Sequence, residues 1–273
     1  MTTPLDDLAA HLRARPSIRV IYTDLDGTLL GPGGSLLHGP DGRPSLRAAE
    51  ALVRAAEAGV QIVPVSGRRR WQLENDARLI GVRDCIAEAG SVIVRDGQVW
   101  YEWGECPRDL ADTPHDALIK AGAADALAAA FPDDLRHFEP WHSGREGGHL
   151  YHGLVDVAEA NAVLAEAGCG WAYLVDNGAT DGWPGRQVRA YHLLPRGVGK
   201  AAAVADDLRA RGLTPDEAVA VGDSLEDLTM AAVVGTYLQV ANGHGDIAER
   251  VFRLPGAMGH GFADAVEAVL AAR

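Results

Sequence analysis

The sequence predicts an α/β protein built on a doubly wound parallel sheet, and three observations carry that expectation. Val20 to Thr23, Val60 to Val65 and Ala218 to Val221 are short apolar runs rich in β-branched residues, the pattern of strands buried on both faces. Each run gives way abruptly to acidic or small polar residues: Asp24-Leu25-Asp26-Gly27-Thr28, Ser66-Gly67-Arg68 and Gly222-Asp223-Ser224. Helix-forming stretches lie between the runs, at Ser45 to Ala58 and from Lys200 onward through an Ala-rich segment. Open α/β sheets bind ligands beyond the carboxyl ends of their strands, so Asp24 and Asp26 are expected at the mouth of a cleft.

Two carboxylates two residues apart need a cationic partner that the local sequence does not supply. A divalent metal answers that need, because Mg²⁺ is commonly held by one or two carboxylates together with a substrate phosphate oxygen. Asp24-Leu25-Asp26-Gly27-Thr28 resembles the Asp-x-Asp-Gly-Thr motif that closes the first strand in phosphatases of the haloacid dehalogenase superfamily. Three further motifs follow in the family's order: Ser66-Gly67-Arg68, Gly199-Lys200 at a helix start, and Gly222-Asp223-Ser224-Leu225-Glu226-Asp227. The resemblance spans roughly residues 18 to 242 and implies a Rossmann-like core.

It also implies a mechanism. Asp24 would attack phosphorus and form an aspartyl-phosphate, dividing one difficult displacement into two easier ones. Asp26 would protonate the leaving alkoxide and then deprotonate the hydrolytic water. Mg²⁺ would be held by Asp24, the backbone carbonyl of Asp26 and Asp223, with Asp227 just outside as an orienting group. Gly27, Thr28, Ser66 and Gly67 would cradle the phosphoryl oxygens, Arg68 would reach the phosphate, and Lys200 would offset charge on nucleophile and phosphate. A nucleotide-binding reading of Gly197 to Lys200 fails, since a P-loop needs Gly and Ser or Thr where this chain has Leu194 and Ala201.

Spacing locates a second unit. Asp24 and Ser66 are 42 positions apart, enough for one loop (Gly31 to Gly42), one helix and one strand. Ser66 and Lys200 are 134 apart, where a helix, a strand and a connection need about 40. An α+β cap is therefore expected over 93–193, inserted into a core made of 1–92 and 194–273. A third core strand is expected near Cys85 to Glu88. Cap strands are expected at Val99 to Trp103, Leu135 to Trp141, His149 to Val155, Trp171 to Val175 and Gln187 to Leu193, with helices over Pro114 to Phe131 and Val157 to Ala167. The pattern resembles the α/β, C2-type cap of the Cof-like, sugar-phosphate phosphatase subgroup. Two positions depart from that subgroup: Ala89-Gly90 stands for its usual Asn-Gly, and Glu226 for its Asn.

The cap is expected to read the substrate. Arg145, His149 and His152 near a Gly-rich turn, Asp176-Asn177 after a strand, and Arg186 and Arg189 on the return to the core are the candidates. His142, His149 and His152 crowd one segment, but residues i and i+3 on a strand point to opposite faces, so this trio is not read as a metal site. A formal net charge of −13 argues against a nucleic-acid partner. No apolar run approaches the ~18 residues of a membrane span, no signal pattern opens the chain, and Cys85, Cys106 and Cys169 are scattered. These features predict a cytoplasmic enzyme with free thiols, monomeric or homodimeric, with no membrane partner. The expected function is Mg²⁺-dependent hydrolysis of a small phosphorylated metabolite, a sugar phosphate or a glycosyl-phosphoglycerate. A phosphosugar mutase and a non-catalytic binding protein on the same core are the alternatives.

Overall fold

A computed structural model describes residues 4–183 and 185–273; residues 1–3, assigned above to the core, and 184, assigned to the cap, lie outside the described residues. The first half of the chain runs α1 (Pro4–Arg13), β1 (Val20–Thr23), α2 (Arg47–Glu57), β2 (Gln61–Pro64), α3 (Arg70–Leu79), β3 (Cys85–Ala87), β4 (Val92–Arg95) and β5 (Gln98–Tyr101). Next come α4 (Pro114–Lys120), α5 (Ala123–Ala130), β6 (Leu135–His137), β7 (His149–Gly153), α6 (Val157–Glu166), β8 (Ala172–Trp183) and β9 (Arg186–Pro195). The chain closes with α7 (Lys200–Arg211), β10 (Ala218–Gly222), α8 (Leu225–Leu228), β11 (Thr236–Gln239), β12 (Val251–Arg253) and α9 (Met258–Ala271).

Five parallel strands form the core sheet in the order β12-β11-β10-β1-β2. Alternation along β1 explains why it must be covered twice. Ile21 joins the cluster under α1, α2 and α9, whereas Val20 and Tyr22 join the cluster under α7. Burying each such side chain contributes ~1.5–3 kcal/mol, so both faces resist exposure. The sequence of strand pairs brings the ends of β1, β2 and β10 side by side, with Thr23 opposite Pro64 and Val221.

Beyond β2, a parallel bridge from Val65 to Ile86 leads to the antiparallel sheet β3-β4-β5. Here the structure differs from the expected elements. Val92 and Val94 are buried in one core cluster and Ile93 in the other, and β5 pairs with β4 through a turn at Asp96-Gly97. The strand expected in the cap from Val99 is thus one arm of a hairpin packed on the core. Asp-Gly is the dipeptide that favours such a two-residue turn, and both of its residues have positive φ (51° and 74°).

A second antiparallel sheet, β6-β7-β9-β8, carries α4, α5 and α6 on one face through Leu118, Leu127, Leu164, Tyr151, Tyr191 and Leu193. The helix expected from Pro114 to Phe131 is two helices, because Gly122 (φ 79°) breaks it. β6 stops at His137, four residues short of the expected end, and β8 runs on to Trp183, past Val175. Among the described residues, no helix is long and apolar enough to cross a membrane, and all three cysteines are buried and free.

Candidate active site

β1 ends at Thr23, so Asp24 and Asp26 do not continue the strand's alternation. Asp24 is buried (6 % exposed), its N–H donating to the Val221 carbonyl at 3.0 Å. The chain then turns through Gly27 at φ 89°, a conformation that suits glycine. Space demands glycine there as well, since a Cβ would lie 2.6 Å from Asp223 Oδ2. The turn brings Thr28 beneath β10, where its buried hydroxyl donates to Asp223 Oδ1 at 3.0 Å.

Asp223 follows β10 and Asp227 lies on α8, whose first turn is closed by a reciprocal Ser224/Asp227 box. Asp227 is 1 % exposed and fully engaged: Oδ2 accepts from the Ser224 hydroxyl (2.7 Å), the Ser224 N–H (3.0 Å) and the Asp223 N–H (3.3 Å). Its Oδ1 accepts from Lys200 Nζ at 2.6 Å. Lys200, the first residue of α7 and itself buried, also donates to Asp24 Oδ1 at 3.0 Å and lies 3.8 Å from Glu226.

One ammonium therefore faces three acids. Burial alone would pull the Lys200 pKa down, but Asp227, Asp24 and Glu226 more than offset it and hold it well above its ordinary value. Asp24 is pushed well above the carboxylate range by burial, with Asp227 and Asp223 adding repulsion that Lys200 only partly relieves. Asp223 is raised in the same way, by burial and by Asp227. Oxygens of Asp24, Asp223 and Asp227 lie within 4.8 Å of one another. An all-carboxylate set with surplus negative charge is the donor chemistry that a hard divalent cation takes.

Asp26 stands apart from this trio. Its side chain is half exposed, and both its oxygens accept from Arg68, at 2.5 and 2.8 Å. Arg68 also pairs with Asp76 at 2.6 Å, so the guanidinium expected on phosphate is shared between two carboxylates. Ser66 is buried at the end of β2, its Oγ 3.3 Å from the Arg68 N–H. The Gly67 carbonyl receives both terminal nitrogens of the buried Arg145. Arg69 donates to the carbonyls of Pro140 and Ser143, and Arg70 grips Glu146 through two 2.6 Å bonds. Arg69 and Arg70 thus fasten the 139–146 loop over the core.

The strand ends of the parallel sheet and the β6-β7-β9-β8 sheet with its loops enclose a cleft of about 810 Å³. Asp24, Asp26, Ser66, Gly67, Arg68, Lys200, Asp223 and Asp227 line it, and so does Arg145 from the cap. The cap candidates His149, Asp176, Arg186 and Arg189 are not among the lining residues, and strand register explains why. Leu150 pairs with His192, and these residues face the cleft; His149 pairs with Leu193 and takes the helix-covered face. Arg189 pairs with Asp176, and Arg186 lies against the Trp183 ring. Thr28 serves Asp223, so its hydroxyl is directed at an acid rather than at the cleft.

Sequence reasoning missed two participants, Asn242 and His192. Asn242 donates to the Gly27 carbonyl at 2.9 Å and accepts from Met258 N–H at 2.8 Å, tying the Asp26–Gly27 turn to α9. Its signal was an Asn-Gly pair just past the apolar run of β11. His192 lines the cleft, and only the observed register assigns it to that face, while Asn177 lines it beside Asp176. His192 is buried with Nε2 unpartnered among the described residues; burial, Arg145 and Lys200 hold its pKa well below the usual histidine range.

The chain is similar to known proteins over most of its length. A family model described as haloacid dehalogenase-like hydrolase matches residues 21–120. Phosphoglycolate phosphatase of Pyrobaculum neutrophilum is 29% identical over 92% of this chain and 96% of its own length. Its namesake from Pyrobaculum islandicum is 30% identical over 79% of each chain. Among solved structures, Thermoplasma acidophilum 0175 superposes with a TM-score of 0.68 at 19% identity, covering 94% of this chain and 100% of the other. The chain belongs to the haloacid dehalogenase-like hydrolase family.

Proposed function

We propose that this hydrolase, a phosphatase, cleaves a small phosphorylated metabolite by way of an aspartyl-phosphate on Asp24, with Mg²⁺ as its cofactor. The observation that carries the reading is the buried Asp24–Lys200–Asp227 chain beside Asp223, a carboxylate poised at a strand end with its charge incompletely balanced. Asp24, the backbone carbonyl of Asp26 and Asp223 would hold the cation, and Asp227 would orient Lys200 and the Asp223 backbone. When bound, the ion supplies charge neutralisation between the carboxylates and the incoming phosphate.

Asp24 Oδ attacks phosphorus, the P–O bond to the alcohol breaks, and Asp26 gives its proton to the departing oxygen. In the second half, water attacks phosphorus, Asp26 takes the water's proton, and Asp24 is released with inorganic phosphate. Arg68 occupies both oxygens of Asp26, so Asp26 must leave that pair to meet the leaving group. An arriving phosphoryl group gives the guanidinium a new bidentate partner, which makes the exchange favourable.

The cleft volume falls within the ~300–1,000 Å³ of small-molecule sites, and the relatives' name supports a short phosphorylated acid as one substrate class. Arg145, His192 and Asn177 would read what lies beyond the phosphate, with β4 and β5 counted in the core alongside 1–92 and 194–273 and the rest of the insertion acting as the cap. The test is phosphate release from phosphoglycolate, sugar phosphates, glycosyl-phosphoglycerates and nucleotides, with and without Mg²⁺, beside Asp24→Asn. Mg²⁺-dependent release that disappears in the variant is expected. Isomerised sugar phosphate that depends on a bisphosphate activator, without free phosphate, would overturn hydrolysis in favour of a mutase.

A further inference from the structure

Four histidines gather in the cap behind the wall of the cleft, and the reaction uses none of them. His115 comes from α4, His137 from the end of β6, His142 from the following loop and His149 from the start of β7. Their rings pack closely, with centroids 4.1 Å apart for His115 and His149 and 3.8 Å for His137 and His142. His152, which the sequence places nearby, is elsewhere, stacked on Phe138 and against Trp183. The i, i+3 argument against His149 and His152 sharing a ligand thus holds, but His115, 34 residues upstream of His149, takes the third place.

We propose that His115, His142 and His149 form a binding site for a borderline divalent transition-metal ion of the Zn²⁺ type, distinct from the carboxylate site. One ring nitrogen from each lies within 4.8 Å of the others. A tetrahedral ion with bonds of 2.0–2.1 Å brings such atoms to ~3.3 Å, a closure within reach of small ring rotations. The free lone pairs are already selected. His115 Nδ1–H donates to the Gly148 carbonyl at 3.0 Å, which leaves Nε2 bare. His149 Nε2–H donates to the His115 carbonyl at 3.3 Å, which leaves Nδ1 bare. That Nδ1 belongs to a residue 1 % exposed and has no hydrogen-bond partner among the described residues, a costly arrangement that an ion would relieve. Backbone carbonyls on the far ring nitrogens are the usual way histidine ligands are oriented. His142 Nδ1 takes only a long 3.3 Å bond from the Leu150 N–H, which it can exchange on loading.

Electrostatics point the same way. Burial is the first cause keeping His142 at about 4 and His149 well below the usual range, so both are neutral and ready to ligate at neutral pH. An imidazole set selects Zn²⁺ over Mg²⁺, which prefers oxygen. Phe138, Trp141, Arg145 and Leu150, all on the cleft wall, alternate in sequence with the histidines. A bound ion would therefore fix the segment 138–150 that shapes the substrate side of the cleft.

The full chain is equilibrated with Zn²⁺ in excess Mg²⁺, which occupies the carboxylates, then gel-filtered and its zinc counted. One Zn²⁺ per chain is expected, with at least tenfold weaker binding in His115→Gln and His142→Gln. X-ray absorption of the wild-type protein should show an imidazole-rich shell, a readout that stands even if a variant misfolds. Zinc-free protein, binding unchanged in both variants when they fold, or a shell of oxygen alone would overturn the proposal.

Discussion

Gly90→Ala is the substitution whose effect follows most directly from the geometry. Gly90 sits at φ 98° where the turn after β3 passes the start of α7. An alanine methyl would stand 2.3 Å from the Gly199 carbonyl oxygen and 2.8 Å from the Lys200 nitrogen, backbone atoms that cannot swing aside. Restoring a contact of about 3.5 Å moves that backbone by roughly 1 Å. Lys200 rides on it, and its bonds to Asp24 and Asp227 are only 3.0 and 2.6 Å long. A displacement of ~1 Å in a reacting constellation costs about 10²-fold in rate, and the left-handed φ adds ~1–2 kcal/mol of destabilisation. Gly97→Ala is the control: its φ of 74° carries similar strain, yet no atom lies within 4 Å of the added methyl. Steady-state phosphate release at saturating Mg²⁺, with thermal melting alongside, should show a kcat near one hundredth of wild type for Gly90→Ala and a nearly unchanged kcat for Gly97→Ala. A wild-type kcat in Gly90→Ala, or equal losses in the two variants, would refute the argument that close backbone approach sets Lys200.

Other expectations follow from the same contacts. Thr28→Val keeps the volume but removes the donor to Asp223, so Mg²⁺ affinity should fall about 10–100-fold by titration with little change in fold; unchanged affinity would mean Asp223 needs no such support. Arg68→Gln removes a charge-assisted contact of ~1.5–3 kcal/mol, so KM should rise about 10–100-fold, and an unaltered KM would restrict Arg68 to its partnership with Asp26. Burial first, then Asp206, raises Glu102 to about 7 from an ordinary 4.5. Between those values the folded protein holds a proton that the unfolded chain has lost, so stability falls as pH rises from about 4.5 to about 7 and then levels. Glu102→Gln should abolish that loss, melting higher than wild type at pH 8; a parallel pH profile in the two proteins would show that the pair carries no such penalty.

Much of the core was legible because its chemistry sits where strands end. Asp24, Ser66 and Asp223 each follow an apolar run, and parallel pairing of β1 with β2 and β10 brings them together without any long-range information beyond strand order. Lys200 was legible for a similar reason, as the first residue of a helix. The cap was harder because antiparallel sheets present alternate residues to opposite faces, and a shift of one residue exchanges a cleft residue for a buried one. His149 and Leu150 are such neighbours, and so are Tyr191 and His192. The roles of Arg69 and Arg70 were not legible because their partners, the carbonyls of Pro140 and Ser143 and the Glu146 carboxylate, lie more than 70 residues downstream. Asn242 and His115 carried their signals in turns and helices whose spatial neighbours no local pattern names.

In the proposed reaction the phosphoryl group passes through Asp24. Rapid acid quench of the enzyme during turnover of a hydrolysed substrate, followed by mass spectrometry of its peptides, tests it most directly. One phosphoryl group is expected on the peptide carrying Asp24, absent in Asp24→Asn. Turnover with no phosphorylated Asp24 peptide at any quench time, or retained hydrolysis in Asp24→Asn, would contradict it.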